Sequence, residues 1–195
     1  MNNIYKTKTG KFKLFARKIF LVLLLTSGFS TAIYAQQVTL TATAGTATGT
    51  FSTLREAFTA INSGFHNGDI VLSINANVNE GPSPAVLHSN NADPAHYKSI
   101  IIRRTVDVLS ITGNPASGFG VIELIGADTV TIDGDNPNSG GINRNLTINN
   151  TAINSIVSNS CIRIATAAAV VSADNITIKN MVLNGNVTGG NSFPI

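Results

Sequence analysis

Eight residues, Ala127-Asp128-Thr129-Val130-Thr131-Ile132-Asp133-Gly134, return 46 positions later as Ala173-Asp174-Asn175-Ile176-Thr177-Ile178-Lys179-Asn180. Units that recur in this way bury their apolar faces only by stacking on one another, so the echo restricts the chain to architectures built from repeated layers. Leu146-Thr147-Ile148-Asn149-Asn150 carries the same apolar-Thr-Ile core between the two copies but out of phase with them, which fits a different face of the same repeat. Halving the offset predicts turns of about 23 residues, each made of three short strands. Candidate strands at 99–103, 109–112, 121–125, 129–132, 145–148, 161–164, 175–178 and 181–183 are separated by Gly, Asn and Asp, as that plan requires. A β-sandwich would call for hairpin turns and stricter alternation than these segments show. The pattern therefore predicts an all-β chain folded as a parallel β-helix, or solenoid, with a core of small and β-branched residues.

Ahead of these strands lies the one convincing helix. Leu54, Phe58 and Ile61 fall at i, i+4 and i+7 and make a single apolar stripe, with Arg55, Glu56 and Thr59 off it. Thr53 and Glu56 have the spacing of a capping box, and Gly64 stands where a left-handed residue ends a helix. Such a helix, placed before a run of strands, is expected to cap one end of the body. The turn His66-Asn67-Gly68-Asp69 then gives way to the apolar strand Ile70-Val71-Leu72-Ser73-Ile74. Upstream, 37–43 alternates apolar and hydroxyl residues as a half-buried opening strand, and Thr46, Thr48 and Thr50 continue as a Thr-rich loop. Between Glu80 and Lys98, Gly81-Pro82-Ser83-Pro84 and the stretch 90–94 break regular structure, leaving room for a short strand at 85–87.

The stretch 1–18 carries Lys6, Lys8, Lys11, Lys13, Arg17 and Lys18 without an acid and runs into the apolar 19–25, with Ala35 as a small residue at the cut. That layout predicts a secretory signal peptide over 1–35 and a single domain over 36–195. Thr26, Ser27, Gly28 and Ser30 interrupt the apolar run well short of the ~20 residues of a spanning helix, so no stable membrane span is expected after cleavage. Of the chain's 13 basic residues six precede the cut, leaving seven against ten acids, a net charge of −3. The basic isoelectric point thus reports on export, and no nucleic-acid partner is expected. Cys161 alone cannot form an intramolecular disulfide and is expected as a small buried filler. The end of the sequence, 189–195, follows a strand without a capping helix or a polar closing repeat. From this a β-helix interrupted at its C-terminal end is expected, whose isolated fragment self-associates through an open last coil.

The order of helix, Gly-Asp, apolar strand and Asn79-Glu80-Gly81 resembles the N-terminal end of right-handed parallel β-helix proteins of the pectin-lyase-like class. Ser-Thr-Leu-Arg-Glu-Ala-Phe-Thr-Ala-Ile-Asn-Ser-Gly at 52–64, the stretch 126–151 and Ser-Ala-Asp-Asn-Ile-Thr-Ile-Lys-Asn-Met from 172 are similar to the N-terminal β-helical region of large adhesin-like proteins of Bacteroidota. Such proteins are secreted or held at the outer cell surface and often carry a type IX secretion sorting domain, of which this sequence has none. The resemblance implies a right-handed parallel β-helix with a short N-terminal capping α-helix. It also implies a non-catalytic role in binding polysaccharide or cell-surface glycans. Its alternative is the N-terminal coils of a polysaccharide lyase or hydrolase with the active site downstream.

Little in the sequence speaks for chemistry within the chain. Asp133, Asp135 and Asn136 offer two carboxylates and an amide to Ca²⁺, three of the six to eight oxygens that ion takes. Beside Gly134 the same residues are ordinary occupants of a tight corner. Asp128 and Asp174 align across the repeat, each ahead of a strand, while Arg103, Arg104, Arg144 and Arg163 have no regular spacing. His66, His88 and His96 fall in predicted loops without metal spacing. No catalytic residue, no metal set beyond that Ca²⁺ candidate and no cofactor is assigned, and no Gly-x-Ser-x-Gly or phosphate loop occurs.

Overall fold

The computed structural model describes residues 36–153, 159–168, 171–185 and 192–193. The proposed signal peptide, 1–35, lies outside them. Fourteen strands and one helix are formed among the described residues. In chain order they are β1 (Val38–Gly45), β2 (Thr48–Phe51), α1 (Leu54–Asn62), β3 (His66–Ile74), β4 (Val78–Gly81), β5 (Ala85–His88) and β6 (Tyr97–Arg104). There follow β7 (Leu109–Gly113), β8 (Gly120–Ile125), β9 (Val130–Asp133), β10 (Leu146–Asn150), β11 (Asn159–Ala165), β12 (Ile176–Lys179), β13 (Met181–Asn184) and β14 (Ser192–Phe193).

From β3 onward every third strand is paired with its predecessor, and all of these pairs are parallel. The first sheet runs β12-β9-β6-β3-β1-β2, the second β13-β10-β7-β4 and the third β14-β11-β8-β5. Alternation then decides what is buried, since successive side chains on a strand point to opposite faces. In the first sheet Leu40, Leu72, Ile102, Ile132 and Ile178 form one inward row across five strands. Val78, Ile111, Ile148 and Leu183 do so in the second, and Ala85, Ile122 and Ile162 in the third. These rows meet in one core. A fully buried Ile or Leu contributes about 1.5–3 kcal/mol by leaving water.

The right-handed parallel β-helix expected from the repeats and the resemblance is corrected by this topology. β1 runs antiparallel to both β2 and β3, so the largest sheet is mixed. The strands form three separate sheets, and no closed solenoid is seen among the described residues. The cause is local: Thr48–Phe51, expected as loop, folds back as a strand because Gly45 at φ +70° turns the chain and Ala42 N–H reaches Ala47 O at 2.8 Å. The expected turn length, half the offset of the echo, is corrected as well. β9 and β12 are direct neighbours, pairing Val130 with Ile176 and Ile132 with Ile178, so the whole offset makes a single three-strand step. The two earlier steps, Ile70 to Ile100 and Ile100 to Val130, are equal to each other and shorter. Strand register is kept while the connections from β9 to β10 and from β11 to β12 lengthen, which hides the period in the sequence.

The helix lies against β5, with further packing on β1 to β4, and buries Leu54, Ala57, Phe58 and Ile61. A helix start leaves its first N–H groups without partners in the helix, and here those of Leu54, Arg55 and Glu56 are met by side chains before the first intrahelical bond, from Ala57, begins. Thr53 Oγ1 accepts from Glu56 N–H at 3.1 Å, and Ala57 N–H reaches Thr53 O at 3.4 Å. Leu54 and Arg55 N–H are taken by the two carboxylate oxygens of Glu80, at 2.7 and 3.2 Å, a residue of β4 that is 2% exposed. The capping box is modified: Glu56 Oε2 accepts from Ser52 N–H at 2.9 Å, one residue before the cap.

Burial pushes the Glu80 carboxyl above its ordinary value of 4.5, against the helix amides and the Arg55 charge, which pull it down. A carboxyl whose folded value is raised binds its proton more tightly when folded. Its contribution to stability is therefore full below pH 4.5 and is lost as pH rises through the folded value. Glu80→Gln removes this dependence and turns an amide N–H₂ toward one of the helix N–H groups, at a cost of about 1–3 kcal/mol. The gap in urea-unfolding free energy between the native chain and Glu80→Gln is expected to be widest below pH 4.5 and to narrow toward neutrality. A gap that is constant or that widens with pH contradicts the raised value.

Candidate functional site

The residues considered for Ca²⁺ lie in one loop, and the loop is organised around an arginine. Arg104 ends β6 on an inward position, two residues after Ile102, and is fully buried. Its Nε–H donates to Gly134 O at 2.6 Å, Nη1 to Val106 O at 2.8 Å and to Asp107 Oδ1 at 3.2 Å, and Nη2 to Asn143 Oδ1. The chain from Asp133 to Asn143 thus wraps a guanidinium.

The oxygens of the Ca²⁺ candidates are engaged within this arrangement. Asp133 Oδ1 accepts from Asp135 N–H and from Asn180 Nδ2, both at 3.0 Å, while Oδ2 pairs with Lys179 Nζ at 3.1 Å. Desolvation acts to raise the Asp133 carboxyl, but these hydrogen bonds and the Lys179 charge outweigh it and hold the group below its ordinary value. Asp135 Oδ1 accepts from Asn143 N–H at 3.0 Å, and Asn136 Oδ1 from Asn138 N–H at 3.0 Å. Among the described residues no group of three or more His, Cys, Asp or Glu is placed to hold a metal ion.

Asp128 and Asp174 do meet across the repeat, Asp174 N–H donating to Asp128 Oδ1 at 2.8 Å, and the residues after them, Thr129 and Asn175, share φ +55°. They build the same turn twice. Arg163 forms a two-pronged pair with Glu123, Nε to Oε1 at 2.8 Å and Nη2 to Oε2 at 2.9 Å, with the Phe119 ring 5.7 Å from the guanidinium carbon. Glu123 is buried and also accepts from Gly120 N–H at 2.9 Å. His66 departs from the loop expectation: it opens β3, is buried, and its Nδ1 lies 2.6 Å from Thr46 O. His88 departs from it too, ending β5, and both it and His96 are exposed. Cys161 is buried as expected, with Sγ 3.4 Å from Ile148 O, and burial pushes its thiol up.

Two surfaces missed by reading the sequence remain open. The outward face of the first sheet carries the row Thr39, Ser73, Arg103, Asp133, Lys179 and, two residues along, Thr41, Val71, Ile101, Thr131, Thr177. Arg103 Nε is shielded from solvent yet has no hydrogen-bond partner among the described residues. The other surface is a groove of ≈ 480 Å³ between α1 and β5, with Arg55 and Thr59 on one side and Pro84, Val86 and His88 on the other. Asn62 holds its walls together: Nδ2 donates to Val86 O at 2.9 Å, and Oδ1 accepts from His88 N–H at 3.0 Å. Gly64, at φ +73°, lets Pro94 close one end, since a Cβ there would stand 2.5 Å from Pro94 O.

No protein-family model, curated protein or solved structure matches this chain. Among the described residues no helix is long and apolar enough to cross a membrane.

Removing the Arg104 side chain would leave the carbonyls of Gly134, Val106 and Asn143 without this donor and open a cavity. Arg104→Ala is expected to cost about 3 kcal/mol or more in urea unfolding and to make the 134–145 loop the first site of limited proteolysis. Native stability in this variant, with an uncut loop, would show that the guanidinium does not organise it.

Proposed function

We propose that this chain is an exported, non-catalytic binding segment of adhesin-like type, which presents the outward face of its six-stranded sheet to polysaccharide or cell-surface glycans. The observation that supports this reading most is that face itself. Hydroxyls, one base and an acid-base pair stand at the strand spacing of about 4.8 Å, between half-exposed aliphatic side chains. Sugars offer matching hydroxyls and apolar C–H faces. Arg103 Nε adds a donor whose desolvation is not compensated within the protein, so a bound acceptor gains more there than at a hydrated group.

The carbohydrate-active alternative needs an acid poised to give or take a proton at a substrate. The two buried glutamates have other duties: Glu80 holds the helix start, and Glu123 holds Arg163. Their engagement favours binding over turnover within the described residues.

Binding to an immobilised panel of neutral and acidic glycans tests the reading. The native chain is expected to retain a subset of the panel, and Arg103→Ala combined with Thr131→Ala to lose about five- to 150-fold in affinity, two lost hydrogen bonds of roughly 0.5–1.5 kcal/mol each. Asn149→Ala, on the outward face of the second sheet, is expected to bind as the native chain does. An empty panel, unchanged binding by the double variant, or release of shortened product from any glycan would overturn it.

A further inference from the structure

Arg55 is the charged residue that the rest of the structure leaves unexplained. It sits on the second residue of α1, lines the groove, and its Nε is shielded from solvent without a hydrogen-bond partner among the described residues. No ion pair within the described residues reaches its guanidinium. Glu80 is close enough to feel the Arg55 charge, but both of its carboxylate oxygens are occupied by the backbone N–H groups of Leu54 and Arg55. Glu56, next along the helix, points its carboxylate back to Ser52 N–H. A desolvated guanidinium N–H without an acceptor is costly, and an acceptor from outside recovers that cost.

The walls define what such an acceptor would be attached to. Pro84, Val86 and Pro94 make an apolar strip, and Thr59, Ser63 and His88 make a polar rim. Thr59 Oγ1 and Ser63 Oγ give their protons to Arg55 O and Thr59 O, both at 2.8 Å, so each hydroxyl faces a ligand as an acceptor. A volume of ≈ 480 Å³ falls within the usual span of small-molecule sites and suits a ligand of one or two rings.

We propose that the groove between α1 and β5 is a carboxylate-binding site, in which Arg55 takes both oxygens through the Nε–H and one Nη–H while the proline-valine strip carries the apolar face of a small hydroxylated acid. Arginine suits this role because its planar fork matches two carboxylate oxygens at once, which an ammonium group cannot do. The hydroxyl acceptors of Thr59 and Ser63 match the O–H groups of a sugar acid. The site is separate from the outward sheet face and stands whether or not that face binds glycans.

Titration of the ¹⁵N-labelled full chain with glucuronate, glucose and inorganic sulfate, followed at the Arg55 Nε–Hε resonance, tests the assignment. Glucuronate is expected to shift that resonance and the amides of Thr59, Ser63 and Val86 to saturation. Glucose, which differs in lacking the carboxylate, is expected to leave them in place. Arg55→Lys keeps the charge and loses the fork, so affinity is expected to fall at least about tenfold, with thermal unfolding unchanged because the helix amides remain on Glu80. Absence of any shift with glucuronate, an equal response to glucose, sulfate binding as tightly as glucuronate, or full affinity in Arg55→Lys would each overturn it. Losing the sheet-face interaction in Arg103→Ala while keeping this titration leaves the groove assignment intact.

Discussion

Everything in this chain depends on stacking strands in register so that inward side chains of like shape stand over one another. A strand of four or five residues cannot hide its apolar face by itself, and here such strands are covered by the strands three places away. Leu72, Ile102 and Ile132 illustrate the arrangement: each is fully buried, and the parallel ladder holds each opposite its counterpart. A slip of one residue would turn every such side chain outward, so burial itself specifies the register. Loops are free to vary between steps without disturbing it, and they do, since the step from Val130 to Ile176 is longer than the one from Ile70 to Ile100.

Buried polar groups serve the same architecture by tying the variable parts to the constant ones. Arg104 binds three loop carbonyl oxygens to the end of β6, Glu80 binds the helix to β4, and Asn150 Nδ2 donates to Asn159 Oδ1 at 2.7 Å between β10 and β11. Each group has its partners, as burial demands. Among the described residues four buried atoms are exceptions, Asn67 Oδ1, Asn90 Oδ1, Arg55 Nε and Arg103 Nε, and the two arginines are the informative ones. Both border open surface, one in a groove and one on a sheet face, which is where an external acceptor can complete what the fold leaves undone.

Much of this was legible in the residues. The helix boundaries at Thr53 and Gly64 follow from local capping chemistry, the strand at 99–103 from period-two burial, and the strand at 121–125 from its nearly continuous apolar run, while the echo of 127–134 in 173–180 announced a repeat but not that its two copies pair directly. What escaped was non-local. Thr48–Phe51 has the Thr-rich composition of a loop or of a strand, and only the presence of β1 beside it decides. The step length was misjudged because loop insertions carry no periodic signal. Arg104 could have been placed: in Ile100-Ile101-Ile102-Arg103-Arg104 the alternation that buries Ile100 and Ile102 also turns Arg104 inward. For Asp133, Asp135 and Asn136 the turn chemistry was visible, whereas the guanidinium at the centre of their loop comes from a distant strand, β6.

Stacked layers whose rows meet in one core should unfold as one body, and native-state hydrogen exchange of Ile102→Ala tests that directly. Ile102 lies in the first sheet, while Ile111 and Ile122 in the same layer belong to the second and third. A cooperative core predicts that the substitution lowers the exchange free energy of the amides of Ile111 and Ile122 by the same amount as that of Ile100, about 2–5 kcal/mol. Loss of protection confined to β6 and its immediate neighbours, with β7 and β8 unchanged, would contradict a shared core and leave three independently stable sheets.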